Sequence, residues 1–213
     1  MTEGINTIQE SETINIEDVK LNRKWAFWES YEEYEKVRSK DQQPSNYLLE
    51  KIFDFDDLIS FWQFWNKYPG SNPWSIFYSD GEIKFFFEQK YRISSMNFFL
   101  SGVRPEWEDE ACKEGSTLTL EYVVNTGFDE FKKIAKEQWD KLIFSVIGES
   151  IIGSEYINGI RFVDKTQRGT FKKVMFRFEI WVNKSCPNDV INALKEHLKQ
   201  TYGDQGITVK KIK

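Results

Sequence analysis

FKKVMFRFEIWV, residues 171–182, alternates with a period of two. In an extended chain Val174, Phe176, Phe178, Ile180 and Val182 share one face, and Met175, Arg177, Glu179 and Trp181 share the other. β-Branched and aromatic residues dominate the stretch, which reads as a strand. Its first face is wholly apolar and has to be covered. The second mixes charge with tryptophan, and is either a ligand-facing surface or a solvated outer face with one stray Trp. A strand of this kind belongs to an antiparallel sheet that carries helices on one side only.

The neighbouring sequence fits that architecture. Strands are predicted over 24–28 (KWAFW), 46–52 (NYLLEKI), 117–124 (TLTLEYVV), 158–163 (NGIRFV) and 206–211 (GITVKK). Residues 72–89 (NPWSIFYSDGEIKFFFEQ) place Asp80-Gly81 between two apolar runs, the signal of a hairpin. Helices are predicted over 56–70, where Leu58, Phe61, Trp62 and Trp65 recur at helical spacing, and over 128–150 and 187–203. Strands and helices do not alternate strictly, so the fold class is α+β. Residues 1–20 are polar and acidic and read as a disordered tail, leaving 21–213 as one domain without repeats.

Composition narrows the function. Of 213 residues 16% are aromatic, including eight Trp and eighteen Phe, more than a core absorbs, so some of them belong to a binding surface. Two cysteines, Cys112 and Cys186, provide neither a disulfide framework nor metal-ligand spacing and suit a reducing compartment. The single histidine, His197, disfavours a zinc site or a Ser-His-Asp triad. The N-terminus resembles no targeting peptide, and no apolar run is long enough to span a bilayer, so the chain reads as cytoplasmic or nuclear. A net charge of −5 argues against non-specific DNA binding but leaves room for a small anion held by local cations.

GVRPEWEDEACKEG, residues 102–115, sets Trp107 beside several acids in a Pro- and Gly-flanked loop. An aromatic face attracts a flat cation, and a carboxylate accepts two parallel N–H bonds from one edge of such a ligand. N7-methylguanine has both the delocalised charge and the paired donors, and Trp107 followed by Glu108 offers a plate and an acceptor. Trp-Glu alone is a weak signal, since in most proteins it is a packed Trp beside a solvated Glu. Asp109, Glu110 and Glu114 read as solvated neighbours.

Five segments taken together are specific. GVRPEWEDE resembles the G-(hydrophobic)-x-P-x-W-E-D segment of the cap-binding translation initiation factor 4E family. NRKWAFW (22–28), FDDLISFWQFWN (55–66), WDKLIFSVIGES (139–150) and FEIWV (178–182) are similar to that family's other segments, in the same order. The resemblance implies a curved, mainly antiparallel sheet with about three helices on its convex face and a cap site on the concave face. It implies a non-enzymatic protein without cofactor or metal. Trp107 becomes one stacking aromatic, Glu108 the guanine-edge acceptor, and Trp181 a neighbour of the N7-methyl group. Lys165 and Arg177 become phosphate contacts, joined by Arg168 or Lys172 and Lys173 from the basic loop 165–173. The second stacking aromatic is Tyr47, reached by a small shift, with Tyr34 and Tyr31 as substitutes. Thr117 stands where the family often has an Arg, which removes one phosphate contact. Residues 71–95 form an insertion, expected to be a strand pair extending the sheet.

On the opposite face the resemblance implies a groove for a Y-x-x-x-x-L-hydrophobic peptide, anchored on Trp62 and supported by Leu58, Ile143 and Phe144. Lys141 and Asp140 depart from the family there. The implied partners are capped mRNA and a scaffold initiation factor 4G-like protein or a 4E-binding protein, and the implied function is initiation of translation. The alternatives are a cap-binding repressor that recruits no scaffold and, more remotely, a glycosidase using Trp and paired carboxylates.

Overall fold

The computed structural model describes residues 19–33, 47–124, 128–166, 174–203 and 206–212. Seven strands form one antiparallel sheet in the order β2-β1-β5-β7-β8-β6-β9. They are β1 (Lys20–Glu33), β2 (Tyr47–Asp57), β5 (Tyr91–Leu100), β6 (Ser116–Val124), β7 (Ile157–Asp164), β8 (Val174–Val182) and β9 (Thr208–Lys211). The helices are α1 (Leu58–Trp65), α2 (Pro73–Phe77), α3 (Phe128–Ile147) and α4 (Asn188–Tyr202). The α+β architecture expected from the sequence is the one observed, with four helices among the described residues where about three were expected.

The period of two in β8 sorts the sheet into its faces. Val174, Phe176, Phe178, Ile180 and Val182 are all fully buried. They pack with Phe131, Trp139, Leu142 and Ile143 of α3 and with Leu194 and Leu198 of α4 in one large core. Phe162 of β7 stacks on Phe176 at 5.3 Å between ring centroids, and Trp139 stacks on Phe178 at 5.8 Å. Each such side chain contributes about 1.5–3 kcal/mol by leaving water. Among the described residues, the buried side chains of the helices all join this core, so no described helix covers the other face of the sheet.

Helix boundaries follow local chemistry. The Asp57 carboxylate accepts from the Ser60 N–H at 2.7 Å and caps α1, which therefore begins at Leu58, because β2 runs on through FDFDD to Asp57. Asp129 and Glu130 lie in the first turn of α3, where the helix dipole favours acids.

Two expectations fail in the segment before the Trp107 loop. Residues 73–77 form α2, not the first strand of a hairpin, since Pro73 at its first position is preset for a helix. The Asp80-Gly81 turn does form, with φ of 50° and 85°, but it joins only Tyr78–Ser79 (β3) and Glu82–Ile83 (β4). These two strands make a separate two-stranded sheet and do not extend the large one. Tyr91–Leu100 was not anticipated as a strand, yet it is β5, between β1 and β7. The expected tail falls almost wholly on residues outside those described, and Lys20 already opens β1, opposite Asp57.

Candidate ligand-binding site

The open face is built from cross-strand rows. One row runs Trp28, Asn97, Arg161, Glu179, Thr119 and Thr208 across six strands, and its neighbour runs Ala26, Phe99, Gly159, Trp181, Thr117 and Lys210. Side chains opposite one another in a sheet share a face and touch. Gly159 is required here, because a Cβ would lie 2.3 Å from the Phe99 ring.

Polar groups on this face form a continuous chain. The Tyr47 hydroxyl donates to Ser30 Oγ at 2.8 Å, and Asn97 Nδ2 donates to the same oxygen at 2.8 Å. Arg161 Nε donates to Asn97 Oδ1 at 2.8 Å, its Nη2 to Ser95 Oγ at 3.1 Å, and its Nη1 to Glu179 Oε2 at 3.3 Å. Glu179, only 4% exposed, also receives Arg177 Nη2 at 2.6 Å and Trp181 Nε1 at 3.1 Å. Buried charges are tolerated when paired and hydrogen-bonded in this way. The chain fixes Tyr47 at one end and Arg177 at the other.

The loop 101–115 presents Trp107. Asp109 organises it: its carboxylate accepts the N–H groups of Arg104 and Ala111, each at 2.9 Å. Its carbonyl accepts those of Cys112 and Lys113 at 2.8 and 2.9 Å. Asp109 is thus a structural element of the loop, not the solvated neighbour expected. Asn158 Nδ2 on β7 donates to the Ala111 carbonyl, and Gly115 passes so close to Val182 O that a Cβ would sit 2.2 Å from it. Cys112 is fully buried, and burial pushes its thiol up to about 12, which leaves it inert at neutral pH.

Held this way, Trp107 is 62% exposed. With Tyr47, Pro105, Glu106, Glu108 and Arg161 it lines a cavity of about 500 Å³. The loop and the sheet therefore bring three expected site residues, Tyr47, Trp107 and Glu108, to one place. Glu108 is exposed, and none of the described side chains donates to it. Arg161 was not singled out from the sequence; the signal for it was its alternation with Ile160 and Phe162 in a predicted strand.

Trp181 differs from expectation. It is 1% exposed and packs with Ala26, Trp28, Phe99, Cys112 and Ile212. Arg161 lies over its ring at 5.5 Å. It backs the open face and does not line the cavity. Lys165 and Arg177 do come together: burial and then the nearby Arg177 guanidinium hold the Lys165 ammonium below the usual lysine range. Excess positive charge of this kind favours an anion. Arg168, Lys172 and Lys173, like Tyr34, fall outside the described residues.

On the helix side a second groove, about 430 Å³, is lined by Leu58, Phe61, Trp62, Phe144, Ile147 and the start of β1. Trp62 and Phe144 are each 38% exposed, with their rings 5.3 Å apart. Ile143 is fully buried and belongs to the core, not to this groove, because it points inward from α3 beside Leu142. Lys141 is occupied by the Thr201 carbonyl at 2.9 Å and the Tyr202 ring. Among the described residues no cluster of His, Cys, Asp and Glu is arranged to hold a metal, and no helix is long and apolar enough to cross a membrane.

Comparison with known proteins gives consistent findings. The family model described as Eukaryotic initiation factor 4E matches residues 20–208. Eukaryotic translation initiation factor 4E of Candida albicans is 26% identical over 181 residues, 84% of this chain and 71% of that protein. The Eremothecium gossypii protein of the same name is 29% identical over 154 residues, 71% of this chain and 59% of that protein. Among solved structures, Ascaris suum eIF4E-3 with an m2,2,7G cap superposes with a TM-score of 0.61 at 20% identity, covering 92% of each chain. Caenorhabditis elegans eIF4E-3 with the 4E-binding protein Mextli gives 0.59 at 18% identity, covering 90% of this chain and 92% of that one. At these identities the structural likeness establishes the fold.

Proposed function

Since the chain belongs to the eukaryotic initiation factor 4E family, we propose that it binds the 7-methylguanosine 5′ cap of mRNA in the cavity between Tyr47 and Trp107. The methylated base lies between the two rings, whose faces attract its positive charge. Glu108 accepts its N1–H and N2–H, and Arg177 and Lys165 neutralise the triphosphate. No bond is made or broken, so the protein is a binding factor and not an enzyme.

The observation that carries this reading is the convergence of Tyr47, Trp107 and Glu108, to which none of the described side chains donates, on one cavity from β2 and the loop after β5. The superposable Ascaris suum eIF4E-3 was solved in complex with an m2,2,7G cap. Retention on 7-methyl-GTP resin with release by free 7-methyl-GTP tests it. Passage through the resin at low salt would refute it.

The groove around Trp62 takes a partner peptide, and recruitment of an initiation scaffold through it would place the protein in translation initiation. What supports this is an exposed Trp beside Phe144 in an apolar groove, the arrangement in which interface energy concentrates. A second reading, a cap-binding repressor that recruits no scaffold, is favoured by Lys141, a cation already engaged by its own chain where the family resemblance implies an acid. Binding of a Y-x-x-x-x-L-hydrophobic scaffold peptide separates the two.

A further inference from the structure

Tyr47 is 43% exposed at the start of β2, a strand that pairs only with β1 among the described residues. A ring placed there changes rotamer freely unless its tip is tied. The tie is its hydroxyl, which donates to Ser30 Oγ at 2.8 Å. We infer, resting on the cap-binding reading above, that Ser30 and Asn97 are positioning residues of the base site. Anchored by Arg161, they hold the Tyr47 plate in the Trp107 cavity before the ligand arrives.

The direction of the bonds in this relay is set from its far end. An ionised Glu179 only accepts, and a guanidinium only donates. Arg161 gives Nη1 to Glu179 Oε2 at 3.3 Å and Nε to Asn97 Oδ1 at 2.8 Å. Its Nη2 donates to Ser95 Oγ at 3.1 Å, and Ser95 Oγ donates onward to the same Asn97 oxygen at 3.0 Å. Two donors on Oδ1 fix which way the amide points. Asn97 Nδ2 must then face away from Arg161, and it donates to Ser30 Oγ at 2.8 Å and to the Trp28 carbonyl at 3.3 Å. Every donor and acceptor of the amide is used, so an inverted Asn97 would set its own N–H groups against those of Arg161.

Stability does not call for this arrangement. Ser30, Ser95 and Asn97 are each 0% exposed in the middle of the sheet. Well-packed apolar side chains serve such positions at least as well, and a buried polar network is tolerated only when all its members are satisfied. What the relay adds is an exposed end: it leads out of the interior to the Tyr47 hydroxyl, and Arg161 lines the same cavity as Tyr47 and Trp107. Trp107 takes its place from the loop that Asp109 organises. Tyr47 takes its place from the relay. A plate already in position spares the ligand the cost of ordering it.

The test is a double-mutant cycle read by tryptophan quenching with 7-methyl-GTP. Tyr47→Phe keeps the ring and cuts the tie, and should raise Kd about three- to fivefold, in keeping with the loss of one neutral hydrogen bond. Asn97→Ala breaks the relay from the other side and should give a similar rise. The two losses should not add: in the Tyr47→Phe background, Asn97→Ala should change Kd by less than about twofold, because no hydroxyl remains for it to hold. An Asn97 that served the sheet alone would give the same loss in both backgrounds. Ser94→Ala removes a hydroxyl of the same strand that bonds the Ser30 carbonyl at 3.2 Å instead, and should leave Kd unchanged. A wild-type Kd in Tyr47→Phe, or additive losses in the double variant, would overturn the positioning role and leave the cap reading intact. Should Asn97→Ala fail to fold, Tyr47→Phe decides alone, since its change lies on an exposed ring. If the wild-type protein does not bind 7-methyl-GTP, the cap reading and this inference fall together.

Discussion

Replacing Glu108 by Ala removes the acceptor for the guanine edge and nothing else. The carboxylate is exposed and no described side chain donates to it, so the substitution leaves no orphaned partner in the free protein and should not move the melting temperature. In the complex it leaves two guanine donors facing a cavity without an acceptor. Hydrogen bonds to a charged group are worth about 1.5–3 kcal/mol each. The cavity is open to solvent, and water partly replaces the lost acceptor, so the net loss for the pair is about 2–3 kcal/mol. At about 1.4 kcal/mol per factor of ten, that is a rise in Kd of roughly thirty- to 140-fold. Glu108→Gln keeps one acceptor without charge and should fall between. Quenching of tryptophan fluorescence by 7-methyl-GTP measures each Kd. An unchanged Kd in Glu108→Ala would refute the placement of the base.

Tyr47→Ala should weaken 7-methyl-GTP binding by about 1–2 kcal/mol, and Tyr47→Trp should tighten it, since Trp is the better partner for a cation; opposite signs in the same titration would move the second plate elsewhere. Trp62→Ala should abolish scaffold-peptide binding in a pull-down and cost under about 2 kcal/mol of stability, because its ring is already partly exposed. Trp65→Ala, three residues on and 3% exposed, should instead cost about 3–5 kcal/mol in chemical denaturation. Glu149 is held below the usual carboxylate range by the Asn22 amide and by Arg23 at 2.9 Å. Its folded pKa is depressed, so its contribution is fully present above about pH 4.5 and is lost as pH falls through the folded value. Thermal melts should decline below pH 4.5, and Glu149→Gln should flatten that decline.

The apolar face of β8 was legible because a period of two is enough to specify which residues face a core, and the five it singled out are the five most deeply buried in the strand. β5 was not. Its middle, Ser94-Ser95-Met96-Asn97, has poor strand propensity, and tertiary bonds override it: Ser95 and Asn97 are fully buried because Arg161 donates to both. Arg161 escaped for the matching reason, since its partners lie 64 and 66 positions away. Asp109 was misjudged because turn acids that bind backbone N–H groups look like solvated ones until the loop is closed. Trp181 was placed on the right face, but not its cover, which depends on Arg161 of the neighbouring strand β7 and on Ile212 just past β9. Trp107 and Glu108 adjoin in one loop and were read together, whereas Tyr47, named through the resemblance, reaches the same cavity only through the pairing of β2 with β1.

The most direct test of cap recognition is a side-by-side titration with 7-methyl-GTP and GTP, which differ only by the methyl group and the positive charge it creates. Two aromatic faces on a delocalised cation predict that 7-methyl-GTP binds at least about tenfold more tightly than GTP. Equal affinity for the two nucleotides, or no binding of either, would contradict the account.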